Sequence, residues 1–565
     1  MQLIHQPTAP WLFEKNPDRF VIRLWSAPGV FRRAEILYSD PYDYLPSTEK
    51  QNRLTALPMT LLWENREQIV WTAEAASTTQ KLLYLFRCER VDGSLCWFGE
   101  NGVQISASQT DAFRTGRQFG GERRPIWTGR SVWYQVFPDR FAGGKTPPEA
   151  FIPSTSNRWG GTLDGIRENI PYLKSLGVTG VYLNPVFSSP SNHRYDTLDY
   201  THVDEKLGNN ESLIRLADAL HENGLRLMLD GVFNHASRQC PQFQDVLCNG
   251  DRSRYRDWFC IHSLNQTCST SEKELTSERM KAAPPYESFA FASNMVKWNT
   301  DNPQVQDYLI GCAEQWTRRL RLDAWRLDVP DEISPAFLRT FRRRMKRLNP
   351  EVLLIGEIWT QPSPWVQGGL FDGTMNYPLY RALLHFLLRG DINAETFCLR
   401  MEEITHTLPL EIARNQMNFI GNHDLARPLT EASDSLSAVQ AAWLLLCLLD
   451  GEANLYYGDE RAMYGGNDPE NRGVMRWQES QNATQMVAFV KRTALLRQKL
   501  LSQPLYDFHF HCTSEHCAVM LMRREKTMIR LALYNARNEH DGCIDLGQKP
   551  YWFGERFQLF LEETC

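Results

Sequence analysis

The chain has 565 residues, 42% hydrophobic and 23% charged, with a formal net charge of -5. That length exceeds a single core, so two to four domains of ordinary soluble composition are expected. So small a charge excludes partners recruited by bulk basicity, and neither nucleic acid nor an anionic membrane is expected to bind.

The longest apolar run, residues 441–449, is too short for a membrane span. The first ten residues lack a basic start followed by an apolar stretch, so no secretory signal is expected. The 13 cysteines are scattered and odd in number. They read as free thiols in a reducing cytoplasm rather than as a disulfide framework or zinc site. Aromatic residues make up 12% of the chain, which suits stacking on sugar rings and core packing equally well.

Residues 1–124 alternate in short segments (20–25, 33–38, 68–73 and 81–86) with no helical period between them. This predicts an N-terminal antiparallel β-sandwich, with a linker rich in Gly and Arg over 114–129. The sandwich carries no acid, metal or nucleophile cluster, so its expected role is binding or assembly.

From 125 to 480 strands alternate with helical patterns, the mark of a parallel β/α architecture. Eight strands are predicted, over 132–137, 178–184, 225–232, 322–327, 352–355, 373–376, 416–420 and 453–457. They suggest a (β/α)8 TIM barrel, in which catalytic groups sit at the carboxyl ends of strands. The third and fourth strands are separated by about 236–299, which reads as an insertion walling one side of the cleft. Residues 481–565 open with a helical stretch and return to alternation at 517–522, 528–534 and 556–561, so a C-terminal antiparallel β domain is expected.

Charged residues fall at the predicted strand ends: Asp230 and His235, Arg326 and Asp328, Glu357, His423 and Asp424. Three of the carboxylates, Asp328, Glu357 and Asp424, then share one rim. Two carboxyls roughly 5 Å apart across a glycosidic bond suffice for retaining hydrolysis. Arg326, two residues before Asp328 on the same strand face, is expected to hold that carboxylate ionised as a nucleophile. Glu357, in the apolar setting LLIGEIW at 353–359, is expected to serve as the acid. Histidines beside carboxylates are also the makings of a metal site, but these are spread over separate strands without close His/Cys spacing, so no catalytic metal is expected.

Four ordered stretches, DGVFNH at 230–235, WRLDV at 325–329, GEIW at 356–359 and FIGNHD at 419–424, resemble the motifs of the α-amylase superfamily of glycoside hydrolases. The resemblance implies Asp328 as nucleophile, Glu357 as acid/base and Asp424 as transition-state stabiliser. It implies Arg326, His235 and His423 around the central sugar. In SNHRYD at 191–196 it implies Tyr195 stacked on that sugar and His193 bonded near it. In GGNDPENR at 465–472 it implies sugar contacts from Asp468 and Arg472. Asp230, Glu332 and Trp359 complete the expected substrate-binding set.

VPDE at 329–332, VFPDRF at 136–141 and MVKWNT at 295–300 are similar to the neopullulanase, cyclomaltodextrinase and maltogenic amylase branch. That likeness implies cleavage of α-1,4 bonds in cyclodextrins, maltodextrins and pullulan, some transglycosylation, and a homodimer through the N-terminal domain. Pro330, Asp331, Val296 and Trp298 depart from the branch pattern on the leaving-group side. A maltodextrin glucosidase and a non-catalytic sugar-binding barrel stay open as other readings. The branch also implies calcium near the first barrel strand. Here Lys145, two prolines and Thr162 stand where oxygen ligands are usual, so that site is expected to be absent, and Asn234 leaves a second calcium position open.

Overall fold

The computed structural model describes residues 3–16, 18–43, 52–77, 79–106, 111–115, 124–144, 157–262, 285–290, 292–366, 369–535 and 551–563. The chain forms two compact units.

The first unit contains residues 1–123 together with 361–369 and 398–413, two excursions from later in the chain. Its two antiparallel sheets are built around Arg19–Ser26 and Ile69–Ala76 on one side and Phe31–Ser39 and Leu82–Arg90 on the other. The period of two puts Phe20, Ile22 and Leu24 into a core with Ile36, Tyr84 and Phe86. The excursions join because Val366, Leu408 and Ile412 bury their apolar side chains on Phe13 and Val21. Each such side chain is worth roughly 1.5–3 kcal/mol when fully buried, which is why these segments leave the barrel pattern.

The second unit holds an eight-stranded parallel sheet: β1 (Val132–Val136), β2 (Gly180–Leu183), β3 (Arg226–Gly231), β4 (Ala324–Leu327), β5 (Leu353–Gly356), β6 (Gly373–Thr374), β7 (Met417–Phe419) and β8 (Glu452–Tyr456). Neighbours pair in sequence from β1 to β6, and β8 pairs with both β7 and β1. The remaining seam, β6 to β7, closes through a parallel bridge between Met375 and Met417 and the Asn376 N–H donated to the Met417 carbonyl at 2.8 Å. Glycine is needed at this seam. A Cβ on Gly373 would lie 1.9 Å from the Asn415 carbonyl oxygen.

Helices between the strands carry explicit start signals. Pro303–Leu320 begins with the Asn302 side chain accepting from the Gln304 N–H and with Pro at its first position, and it ends at Arg321 in the left-handed region. Pro335–Leu348 starts the same way, from Ser334. The apolar run at 441–449 becomes most of Leu436–Leu448, a helix buried on almost every side. Among the described residues no helix is long and apolar enough to cross a membrane.

The described part of the insertion after β3 has its own small core of Phe243, Phe259, Tyr286 and Trp298. Residues 263–284 lie outside the description. After Gln481–Leu501 comes a five-stranded antiparallel sheet, in the order Leu505–Ser514, Cys517–Arg524, Thr527–Tyr534, Phe557–Glu563, Trp552–Gly554. Its first strand escapes the sequence reading because it is an edge whose side chains are mostly exposed.

Candidate active site

Register decides what meets at the carboxyl end of the barrel. On β3 and β4, Asp230 is directly opposite Arg326, and on β4 and β5, Leu327 is opposite Gly356. The chain then continues as a ladder. Asp328 donates its N–H to Gly231 O and Glu357 donates its N–H to Leu327 O, both at 3.0 Å. Alternation sends Trp325 outward, where its indole bonds Thr317 at 3.0 Å, and sends Arg326 inward.

Arg326 is fully buried and serves three carboxylates. Its Nη1 lies 2.7 Å from Asp230 Oδ1 and 3.0 Å from Asp328 Oδ1, and its Nη2 lies 2.7 Å from Glu357 Oε2. Burial pulls the guanidinium down, but Asp230 and Glu357 outweigh it, so Arg326 stays charged. Asp328 does not have this cation to itself, which corrects the expectation that Arg326 simply holds it ionised. Burial pushes the Asp328 carboxyl well above the ordinary range; Arg326 opposes that, and the charges of Glu357, Asp230 and Asp424 add to it. Asp230 is raised as well, by burial. Glu357 is not in an apolar pocket either. Besides its ion pair with Arg326, it accepts hydrogen bonds from the Val329 N–H and from Trp359 Nε1, both at 3.2 Å.

A second chain of contacts runs from Asp230 across the cleft. Tyr195 and Tyr182 each donate to Asp230 Oδ2 at 2.9 Å. Tyr195 bonds His423 Nε2 and stacks on the same imidazole, ring centroids 5.3 Å apart and planes 7° apart. His423 Nε2 lies 3.2 Å from Asp424 Oδ2, Arg472 Nη2 lies 3.2 Å from Asp424 Oδ1, and Arg472 Nη1 lies 3.0 Å from Asp468 Oδ1. His193 stacks on Tyr195 at 5.9 Å. His235 Nε2 is 4.0 Å from Asp328 Oδ2, and its ring stacks on Phe289. The structure thus brings together Asp328, Glu357, Asp424, Asp230, Arg326, His193, Tyr195, His235, His423, Asp468 and Arg472. Trp359 stands at the edge, 44% exposed. Glu332 lies further out, with Asn234 Nδ2 at 3.1 Å and Lys297 Nζ at 3.2 Å from its Oε2.

All three histidines are neutral at ordinary pH. Burial lowers His235 to about 3 and His193 to about 4, and carries His423 well below its usual value. A buried imidazole whose pKa falls on folding supports stability above the unfolded value, and that support is lost as pH falls. The free-energy difference between wild type and His235→Asn, taken from urea unfolding, should shift against wild type by about 1.4 kcal/mol per pH unit between pH 6 and pH 4. A pH-independent difference would contradict the buried neutral state.

Sequence reasoning missed Gln135, Tyr182, Asn184 and Tyr377. Gln135 Nε2 bonds His423 Nδ1 at 3.0 Å, and Asn184 Nδ2 donates to the Tyr195 hydroxyl at 2.9 Å. A signal existed for Gln135 and Tyr182, polar groups in otherwise apolar barrel strands, because a buried polar side chain needs a partner.

Asn234 Oδ1 is buried without a hydrogen-bond partner, while its amide nitrogen bonds Glu332. The Lys297 ammonium already supplies a positive charge at Glu332, the carboxylate that Asn234 bonds. The loop residues 145–148, on which the absence of the first calcium site was argued, lie outside the described residues. Thr162 is occupied as a helix cap, accepting from the Gly165 N–H at 3.0 Å.

Residues 135–498 match the family model described as alpha amylase, catalytic domain, and residues 1–119 match that of the alpha amylase N-terminal ig-like domain. A cyclomaltodextrinase of Geobacillus thermopakistaniensis is 34% identical, the match covering 99% of this chain and 96% of that protein. Neopullulanase 2 of Thermoactinomyces vulgaris is 33% identical, over 88% of this chain and 84% of its own. A solved cyclomaltodextrinase structure superposes with a TM-score of 0.84 at 31% identity, covering 94% of this chain and 91% of that one. On this evidence the chain belongs to the α-amylase family, as an α-glucan glycoside hydrolase.

Proposed function

We propose that this enzyme cleaves α-1,4-glucosidic bonds in small and cyclic glucans with net retention, through a glycosyl-enzyme intermediate on Asp328. The observation that carries the reading is the sharing of one guanidinium by Asp328 and Glu357. Two carboxyls bridged by one guanidinium suit the close pair, roughly 5 Å apart, that retaining enzymes use.

In the first step Asp328 attacks the anomeric carbon through Oδ2, the oxygen not bonded to Arg326. The bond from that carbon to the leaving oxygen breaks as Glu357 gives that oxygen a proton. Water then attacks the anomeric carbon and gives a proton back to Glu357, and the ester bond to Asp328 breaks. A sugar hydroxyl in place of water gives transglycosylation. Asp424, His423, Arg472 and Tyr195 grip the sugar. Neutral imidazoles suit this chemistry, because a charged His would repel the positive charge that develops on the ring.

The preference for small substrates rests on the relatives named cyclomaltodextrinase and neopullulanase. A product time course on β-cyclodextrin, soluble starch and pullulan tests it. Cyclodextrin should open fastest, with pullulan cut more slowly. Starch as the fastest substrate would overturn the small-substrate preference, and binding without turnover would overturn the enzymatic reading.

A further inference from the structure

Three side chains outside the acidic cluster connect Glu357 to Asp424 around the rim. Trp359, after β5, donates Nε1–H to Glu357 Oε1 at 3.2 Å. Its indole lies flat on the ring of Tyr377, centroids 4.0 Å apart and planes 18° apart. Tyr377 follows β6, opens the helix Tyr377–Leu383 and is fully buried. Its hydroxyl accepts from Asn422 Nδ2 at 3.1 Å, and Asn422 Oδ1 accepts the N–H of Asp424 at 2.9 Å. The ends of the path are themselves fixed. Arg381, on the Tyr377 helix, donates to the Trp359 carbonyl at 2.9 Å, and Phe419 of β7 packs edge-on against the Tyr377 ring at 5.0 Å. Burial and then the charges of Glu357 and Asp424 push the Tyr377 phenol up, as expected for a hydroxyl held within reach of both.

We propose that Tyr377 and Asn422 are positioning residues that, through Trp359, hold Glu357 in register with Asp424. The physical need is specific. Arg326 and the Val329 N–H hold Oε2, which leaves Oε1 as the oxygen still to be aimed, and proton transfer demands an oxygen within hydrogen-bond reach of the leaving atom. The Trp359 N–H pins Oε1, and the indole can be aimed only because Tyr377 forms a rigid floor beneath it. Asn422 ties that floor to the turn that presents Asp424. Small displacements at such sites cost large factors in rate.

The proposal rests on Glu357 being the acid/base, so the test separates the two claims. kcat and KM are measured for wild type, Glu357→Gln, Tyr377→Phe and Trp359→Phe. The substrates are maltotriose, whose leaving oxygen needs a proton, and α-maltosyl fluoride, whose fluoride leaves without one. Tyr377→Phe keeps the ring and loses only the hydroxyl. It should lose about tenfold in kcat/KM on maltotriose and no more than about threefold in kcat/KM on the fluoride, because kcat/KM reports the step in which the leaving oxygen takes its proton and not the later release, in which Glu357 acts as base toward water on both substrates. Trp359→Phe should show the same selective loss, and the double variant should lose little beyond the larger single effect because both act through one path. Equal losses on the two substrates, or additive losses in the double variant, would overturn the proposal. If Tyr377→Phe does not fold, Trp359→Phe, at an exposed position, carries the test alone. Equal losses in kcat/KM for Glu357→Gln on the two substrates would instead overturn the acid/base assignment, whatever the other variants do.

Discussion

Asp328→Asn is expected to abolish turnover and at the same time make the protein more stable. The loss follows from the proposed chemistry, because an amide cannot form the glycosyl ester, and activity should fall by about 10⁴-fold or more. The gain follows from the burial of Asp328. Its folded pKa lies above its unfolded value, with burial as the cause and three neighbouring carboxylates adding to it. Such a group favours folding at low pH, and that contribution disappears as pH rises through the folded value, above which the ionised side chain opposes folding. The amide has nearly the same shape and no charge. Arg326 keeps Asp230 and Glu357 as partners. The melting midpoint should rise by about 2–4 °C at pH 8 and by less at pH 5. An inactive variant that melts lower at both pH values would mean that Asp328 is a structural ion-pair member.

Removing the cation should have the opposite effect on stability. Arg326→Met leaves Asp230, Asp328 and Glu357 facing one another without a counter-charge, at a place where all three are at least 95% buried by their exposures of 2%, 5% and 5%. Breaking a buried ionic cluster from one side costs about 3–5 kcal/mol. The cost should shrink as pH is lowered, because the orphaned carboxyls then take up protons, and this recovery distinguishes lost charge from lost packing. Arg326→Lys should not rescue it. A single ammonium cannot reproduce a fork that reaches two acids through Nη1 and a third through Nη2. Urea unfolding at pH 5 and pH 8 measures both effects, and equal destabilisation at the two values would contradict the electrostatic account.

The barrel was legible because its strands are short apolar runs cut off by charged or turn residues, and because Gly, Asn and Pro mark the exits. The chemical residues were legible because they lie where those runs end, and the motifs supplied the order. Sharing was not legible. That Arg326 contacts Glu357 depends on the pairing of Leu327 with Gly356, a register no local pattern states. Asp323 shows the same limit. It sits in the same charged stretch as Asp328, yet it lies before β4, bonded to His221 Nε2 at 2.9 Å and the Leu227 N–H at 2.8 Å, away from the cluster. Tyr377 was invisible for another reason. Its value comes from what lies above it, Trp359, and what bonds it, Asn422, residues from two other strand ends. The grouping of residues 398–413 with the N-terminal unit was hidden because amphipathic helices read alike wherever their apolar face is spent.

The most direct measurement is to trap the intermediate. The enzyme is incubated with a 5-fluoro maltosyl fluoride, which slows the release step, and then digested and analysed by mass spectrometry. One glycosyl adduct is expected, on the peptide containing Asp328, with release of the α-anomer first when an ordinary substrate is followed by NMR. An adduct on a different carboxylate, or first release of the β-anomer, would contradict the proposed mechanism.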